Sequence, residues 1–244
     1  MNNKIISTFQ LLRFHFSFFL MPVYFFALSQ VKIINSRDAI LAFLILHLMV
    51  YPASNGYNSY MDRDTSPIGG LKNPMEPTSQ LFFVTIVLDS LAIVLSFLIS
   101  PVFAIGIFFY ILASRLYSFR GVRLKKYPVI GYLTVIIFQG AVTFSLVYHG
   151  SDSNHTLHIP VLAMIASSLL IGGFYPLTQI YQHDEDYKDG VITISYLLGY
   201  KGTFVFTGIV YALAFITLGW YFYLKSALFN FFILQIFMLP ILVY

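Results

Sequence analysis

The stretch FFVTIVLDSLAIVLSFLI, residues 82–99, is apolar almost without interruption and shows no alternation of polar and apolar positions. A half-buried strand alternates with period two, and a membrane barrel is built from alternating segments of about ten residues. A helix crossing a bilayer needs roughly 20 apolar residues. The stretch therefore reads as a membrane helix, and LAFLILHLMVY, residues 41–51, has the same character. Working outward, eight such segments are expected, over about 9–31, 39–60, 79–98, 101–118, 128–148, 157–181, 203–223 and 226–244. The 244-residue chain is 58% hydrophobic and only 10% charged, with mean hydropathy +0.79, which excludes an ordinary soluble domain. No connection is long enough to hold a separate domain, so the expectation is one all-α polytopic membrane helix bundle over residues 1–244.

The first segment begins too close to Met1, and carries too many aromatics, to read as a cleavable signal. The last, FNFFILQIFMLPILVY (229–244), ends without a polar residue, as a chain cut at or before a ninth apolar element would. Orientation follows from the fourteen basic residues. Lys4, Arg13, Arg63, Lys72, Arg115, Arg120, Arg123, Lys125, Lys126, Lys188 and Lys201 fall with the amino terminus and the loops after the second, fourth and sixth segments; only Lys32, Arg37 and Lys225 fall opposite. That bias makes the first side cytoplasmic. It also accounts for the net charge of +4 without a nucleic-acid partner. With no cysteine, a metal must be held by oxygen or imidazole.

Seven of the ten acidic residues lie between Asp62 and Glu76 or between Asp184 and Asp189, half a chain apart and both on the expected cytoplasmic face. In NSYMDRD (58–64), Asn58, Asp62 and Ser66 recur every four residues along one helical face. The bland reading is a hydrated helix end in which Arg63 neutralises one Asp. In HDEDYKDG (183–190), Lys188 is the sole nearby cation for four carboxylates; a continuing helix puts Gln182, Asp186 and Asp189 on one face. Oxygen-rich clusters of this kind suit Mg²⁺, which takes one or two carboxylates with water and substrate phosphates. A two-fold arrangement of four-helix halves, about 1–126 and 127–244, would bring one acidic helix end from each half to a shared cavity.

RLYSFRGVRLKKYP (115–128) adds five cations and two tyrosines at the same border, and Arg and Lys grip phosphate oxygens. Carboxylates for Mg²⁺ beside such a loop make a diphosphate site. A membrane protein has a use for one: an allylic diphosphate ionises when its leaving group is neutralised, and aromatic faces stabilise the resulting cation away from water. HGSDSNHTLH (149–158), with three histidines, reads as a solvated loop rather than a metal site.

These residues resemble the UbiA superfamily of intramembrane prenyltransferases. NSYMDRDTS matches the family's N-x-x-x-D-x-x-x-D at Asn58 and Asp62, with Ser66 at the third acidic position and Asp64 two residues early. QHDEDYKDGVIT matches the second motif at Asp186, Gly190 and Thr193, with Gln182 in place of the leading Asp. YSFRGVRLK (117–125) resembles the Tyr-Ser loop between them. The resemblance implies Asn58, Asp62, Asp186 and Asp189 as metal ligands, and Asn58, Arg123 and Lys125 as diphosphate partners. It implies Asp62, Asp186 and Tyr117 as the reaction centre.

The expected activity is Mg²⁺-dependent transfer of an isoprenoid chain from an allylic diphosphate to a lipophilic, aromatic acceptor, as in quinone or related lipid biosynthesis, at the cell (inner) membrane. The alternatives are a degenerate member that binds isoprenoid lipid without turnover, or a transporter. Transporters place charge near the midplane, whereas both clusters here sit at the border. A CDP-alcohol phosphotransferase is disfavoured because DGVITI lacks the Ala-Arg and trailing acids of that motif.

Overall fold

The computed structural model describes residues 3–236. Among them, seven helices are long and apolar enough to cross a membrane: α1 (Asn3–Gln30), α2 (Ser36–Asp62), α3 (Ser79–Ser96), α4 (Pro101–Ser118), α5 (Pro128–Ser151), α6 (Val161–Lys188) and α7 (Ile194–Leu224). An eighth helix, α8 (Leu228–Ile236), opens the segment expected at 226–244, whose remainder lies outside the described residues together with the expected ninth. The helical bundle and the first seven spans agree with the sequence reading. Away from the acidic and basic end the spans are apolar on most sides, because they meet two apolar environments. Phe83, Val94 and Ile216, each about two-thirds exposed, point outward where lipid would lie, while Ala163, Ala166 and Ser167 of α6 are fully buried. Small residues let helices approach closely; at Gly140 of α5 a side chain would collide with the Ser168 backbone of α6.

Several spans depart from regular α geometry, with local causes. Pro52 in α2 lacks an N–H and crowds the carbonyl one turn earlier, and the turn before it, Ile45–Val50, widens to a π-helix. A second π-helical segment, Ile136–Val142, precedes Thr143, whose hydroxyl caps the Phe138 carbonyl at 2.9 Å. Pro176 opens a 3₁₀ stretch, Tyr175–Gln182, inside α6. In α1 the helix breaks at Arg13, held in the left-handed region at φ 46°, and resumes as a 3₁₀ stretch over Phe14–Leu20.

The connections sort to two ends. Ser7 donates to the Glu76 carbonyl, Thr65 to Glu185 and Arg120 to the Met61 carbonyl, so the start of α1 and the α2–α3, α4–α5 and α6–α7 connections share one end. At the other, Asn35 N–H donates to Ser151, Ser100 pairs with His149, and Lys225 reaches Gln30. The acidic and basic motifs all lie at the first end.

Candidate active site

α2 ends at Asp62 because Arg63 adopts the left-handed conformation (φ 57°) that terminates a helix. Asn58 and Asp62, one turn apart, face the same way: Asn58 Nδ2 donates to Asp62 Oδ2 at 2.8 Å and to Ser118 Oγ of α4 at 3.1 Å. The α4–α5 connection brings the cations. Arg123, also left-handed (φ 51°), turns the chain so that Lys125 Nζ lies 2.7 Å from Asp62 Oδ2 and 3.6 Å from Asp186 Oδ1. Arg123 Nη2 meets Asp62 Oδ1 at 3.1 Å. Asp62, Arg123 and Lys125 are all buried, so the carboxylate is retained in a dry place by two cations rather than by water.

The second motif is fixed by its own punctuation. Gly190 takes φ 70°, which a glycine adopts freely, and turns the chain out of α6. Thr193 then caps α7, its Oγ1 accepting from Tyr196 N–H at 3.2 Å. The carboxylates diverge in placement. Asp186 faces the cavity, Asp184 is exposed, and Asp189 turns to Arg120 (3.3 Å) and Arg123. Burial works to raise the Asp189 pKa, but the Arg123 hydrogen bond and the two guanidinium charges hold it below the ordinary carboxylate range. Glu185 leaves its motif altogether. It accepts from Thr65 N–H and Oγ1, each at 3.0 Å, and from the N–H and hydroxyl of Ser66.

Between these elements lies a cavity of about 150 Å³. Asn58, Asp62, Asp64, Lys125, Gln182 and Asp186 supply its polar wall; Phe16, Tyr110, Tyr117, Phe138 and Tyr175 supply its aromatic wall. The Asp64 carboxyl is pushed up to about 7, by burial first and then by the charge of Asp62. The Tyr117 and Tyr175 hydroxyls pair, and Gln179 Nε2 donates to Tyr175 at 2.9 Å, which locks both rings in place.

Of the residues singled out in the sequence, Asn58, Asp62, Tyr117, Lys125 and Asp186 line this cavity, while Arg123 and Asp189 buttress it from outside. Sequence reasoning missed Glu185 as a tie between the motifs, Gln179, and the cavity-lining Arg13, which it counted only as a topology charge. It also missed that Arg115 is not a free border cation. Arg115 Nε donates to Asp89 Oδ2 at 2.8 Å and its guanidinium lies 4.0 Å from the Tyr57 ring centre. Asp89, alone inside the apolar run of α3, was the available signal. The histidine loop is more ordered than expected. His149 is buried at the end of α5, between Ser100 Oγ and the Thr156 carbonyl.

The model of the UbiA prenyltransferase family matches residues 19–244. No curated protein matches the sequence. Among solved structures, a UbiA homologue from Archaeoglobus fulgidus bound to DMAPP and Mg²⁺ superposes with TM-score 0.72 at 17% identity, over 96% of this chain and 87% of that one. The same homologue bound to GPP and Mg²⁺ gives 0.70 at 18%, over 96% and 87%. A structure concerned with digeranylgeranylglyceryl phosphate synthase in membranes gives 0.62 at 21%, over 92% and 79%. At these identities the structural likeness establishes the fold.

Proposed function

The chain belongs to the UbiA prenyltransferase family, and from that premise we propose that it is an Mg²⁺-dependent intramembrane prenyltransferase moving an isoprenoid chain from an allylic diphosphate to a lipophilic, aromatic acceptor. One observation carries the reading. Asp62 and Asp186, from acidic motifs half a chain apart, line one cavity and share Lys125 between them. The expected two-half organisation would bring one of them from each half.

The donors fit Mg²⁺. They are carboxylate oxygens, and among the described residues no three His, Cys or carboxylate side chains converge into a complete metal cage. Two carboxylates completed by water and phosphate oxygens are how Mg²⁺ is ordinarily held beside a phosphorylated substrate. Asp62 and Asp186 would hold it, with Asn58 beside them; Asp189 serves instead to hold Arg123. When bound, Mg²⁺ neutralises charge on the leaving diphosphate.

Lys125 turns from Asp62 toward the diphosphate oxygens, with Arg123 adding its charge from behind Asp62, as the allylic C–O bond breaks and its electron pair departs with the leaving group. Tyr117, Tyr175, Tyr110 and Phe138 exclude water and offer ring faces to the allylic cation. An acceptor carbon then bonds to the allylic carbon and gives up its proton to the released diphosphate. The basic bias puts this end of the bundle, and the amino terminus, on the cytoplasmic side.

Incorporation of labelled geranyl diphosphate into a panel of aromatic acceptors, with and without EDTA, tests the reading. Mg²⁺-dependent incorporation is expected. Undiminished turnover in excess EDTA overturns the metal assignment, and no incorporation by folded protein supplied with Mg²⁺ overturns the activity.

A further inference from the structure

Arg13 stands apart from the other cations of this site. Lys125, Arg123 and Arg120 each face a carboxylate within ion-pair distance. Arg13 is only 6% exposed, lines the same cavity, and among the described residues has no carboxylate within that distance. Its Nη2 donates to the Asn55 carbonyl at 3.2 Å, and its Nε, buried, has no hydrogen-bond partner among the described residues. Asp62 and Asp64 line the same cavity but lie beyond ion-pair distance from it. A long basic side chain at a membrane border ordinarily extends its head to water. This one is turned inward by a left-handed backbone that non-glycine residues adopt only where the surroundings impose it.

The α2–α3 connection closes over it. At Gly69 a Cβ would come within 2.8 Å of Arg13 Nη1 and 2.9 Å of the Phe16 ring, so any larger residue there would push the guanidinium or the ring from its present place. A buried charge without a countercharge is strongly disfavoured, and the planar guanidinium fork matches two oxygens of one phosphate or carboxylate.

We propose that Arg13 is an oxyanion-binding residue of the cavity, gripping a phosphate or carboxylate group of a substrate with the fork that Asn55 leaves free. The inference rests on the reading of this cavity as a prenyl-transfer site. It adds a contact from α1 to a set otherwise drawn from α2, α6 and the α4–α5 connection. Two groups share the required chemistry: the terminal phosphate of the isoprenoid diphosphate, and a carboxylate on an aromatic acceptor. Phe16, whose ring centre lies 5.6 Å from the guanidinium carbon, gives an apolar surface next to either.

The test uses the full chain in lipid nanodiscs with Mg²⁺ and two probes, geranyl thiolodiphosphate and benzoate, on wild type, Arg13→Gln, Arg13→Lys, Gly69→Ala and Asp62→Asn. Arg13→Gln should weaken binding of one probe by roughly tenfold or more, the scale of one charge-assisted contact. Loss confined to the thiolodiphosphate assigns Arg13 to the diphosphate, and loss confined to benzoate assigns it to the acceptor. Arg13→Lys should recover part of the loss. Gly69→Ala, which crowds the guanidinium and keeps its charge, should reproduce much of it. The thermal midpoint of Arg13→Gln should be unchanged or higher, because a purely structural arginine would lower it. Unchanged affinity for both probes in folded Arg13→Gln overturns the proposal. If Asp62→Asn loses the thiolodiphosphate in that same case, the prenyl-transfer reading survives; if wild type does not bind it at all, that reading falls as well.

Discussion

Ser66 gives both its backbone N–H and its hydroxyl to Glu185, 119 positions further along the chain. Thr65 does the same. One carboxylate thereby accepts four donors from the loop that follows the first motif, and the two motifs are fastened at the cavity mouth. Charge-assisted hydrogen bonds contribute about 1.5–3 kcal/mol each when buried and less when exposed, as here in part. Glu185→Ala should speed hydrogen exchange at the Thr65 and Ser66 amides by roughly tenfold or more and raise KM for the isoprenoid diphosphate. Exchange mass spectrometry resolves the first effect; unchanged protection would mean that the loop is held by other contacts.

The two central carboxylates should respond differently to neutralisation. Asp62→Asn strips the countercharge from buried Lys125 and Arg123, so it should lower thermal stability as well as transfer. Asp186 lies farther from its cation, at 3.6 Å, and is less buried. Asp186→Asn should therefore lower transfer by at least about 10²-fold, the scale of losing one strong electrostatic stabiliser, with the midpoint nearly retained. Normal transfer by both variants in folded form would sink the two-motif site.

Asp89 and Arg115 give the contrasting case. Asp89 is buried and Arg115 half-buried between α3 and α4, and neither residue lines the cavity. Asp89→Asn leaves the guanidinium without its partner and should cost about 3–5 kcal/mol of stability. Turnover per folded molecule, measured after size-exclusion recovery, should stay near wild type. A selective loss of turnover would show that the pair supports the site directly.

Sidedness is checked with reporters. A fusion in the connection around Lys125 should read cytoplasmic and one near Asn154 external. His155→Ala, at the end of the bundle away from the cavity, should leave transfer unchanged. Reversed reporters would put the diphosphate site on the outer face.

The bundle was legible because long non-alternating apolar runs have few other structures open to them, and the motifs because they fall where such runs stop. What could not be read was which charges meet. Arg63 is the neighbour of Asp62 in sequence, yet its left-handed backbone swings it over the Tyr60 ring at 5.9 Å. The countercharges of Asp62 arrive instead from Arg123 and Lys125, about sixty positions away. Asp186 and Asp189 would share a face only on a continuing helix, and α6 ends at Lys188 with Asp189 already in the turn. Arg13 was hidden for another reason: a basic residue near the amino terminus of a membrane protein has an adequate explanation in topology.

The wide turn Ile45–Val50 bears on how the length of this chain is tolerated. Each residue of an α-helix rotates its successor by about 100°, so an extra residue would re-aim everything after it, Asn55, Asn58 and Asp62 included, unless a π-turn absorbs it within one wider turn. Removing one residue from that turn lets it relax to ordinary α geometry while the downstream register is kept. The same removal between Tyr51 and Asn58 has no slack to absorb it and would aim Asp62 at lipid. Indel tolerance along α2 is therefore concentrated at a single turn, upstream of the carboxylate and out of its way.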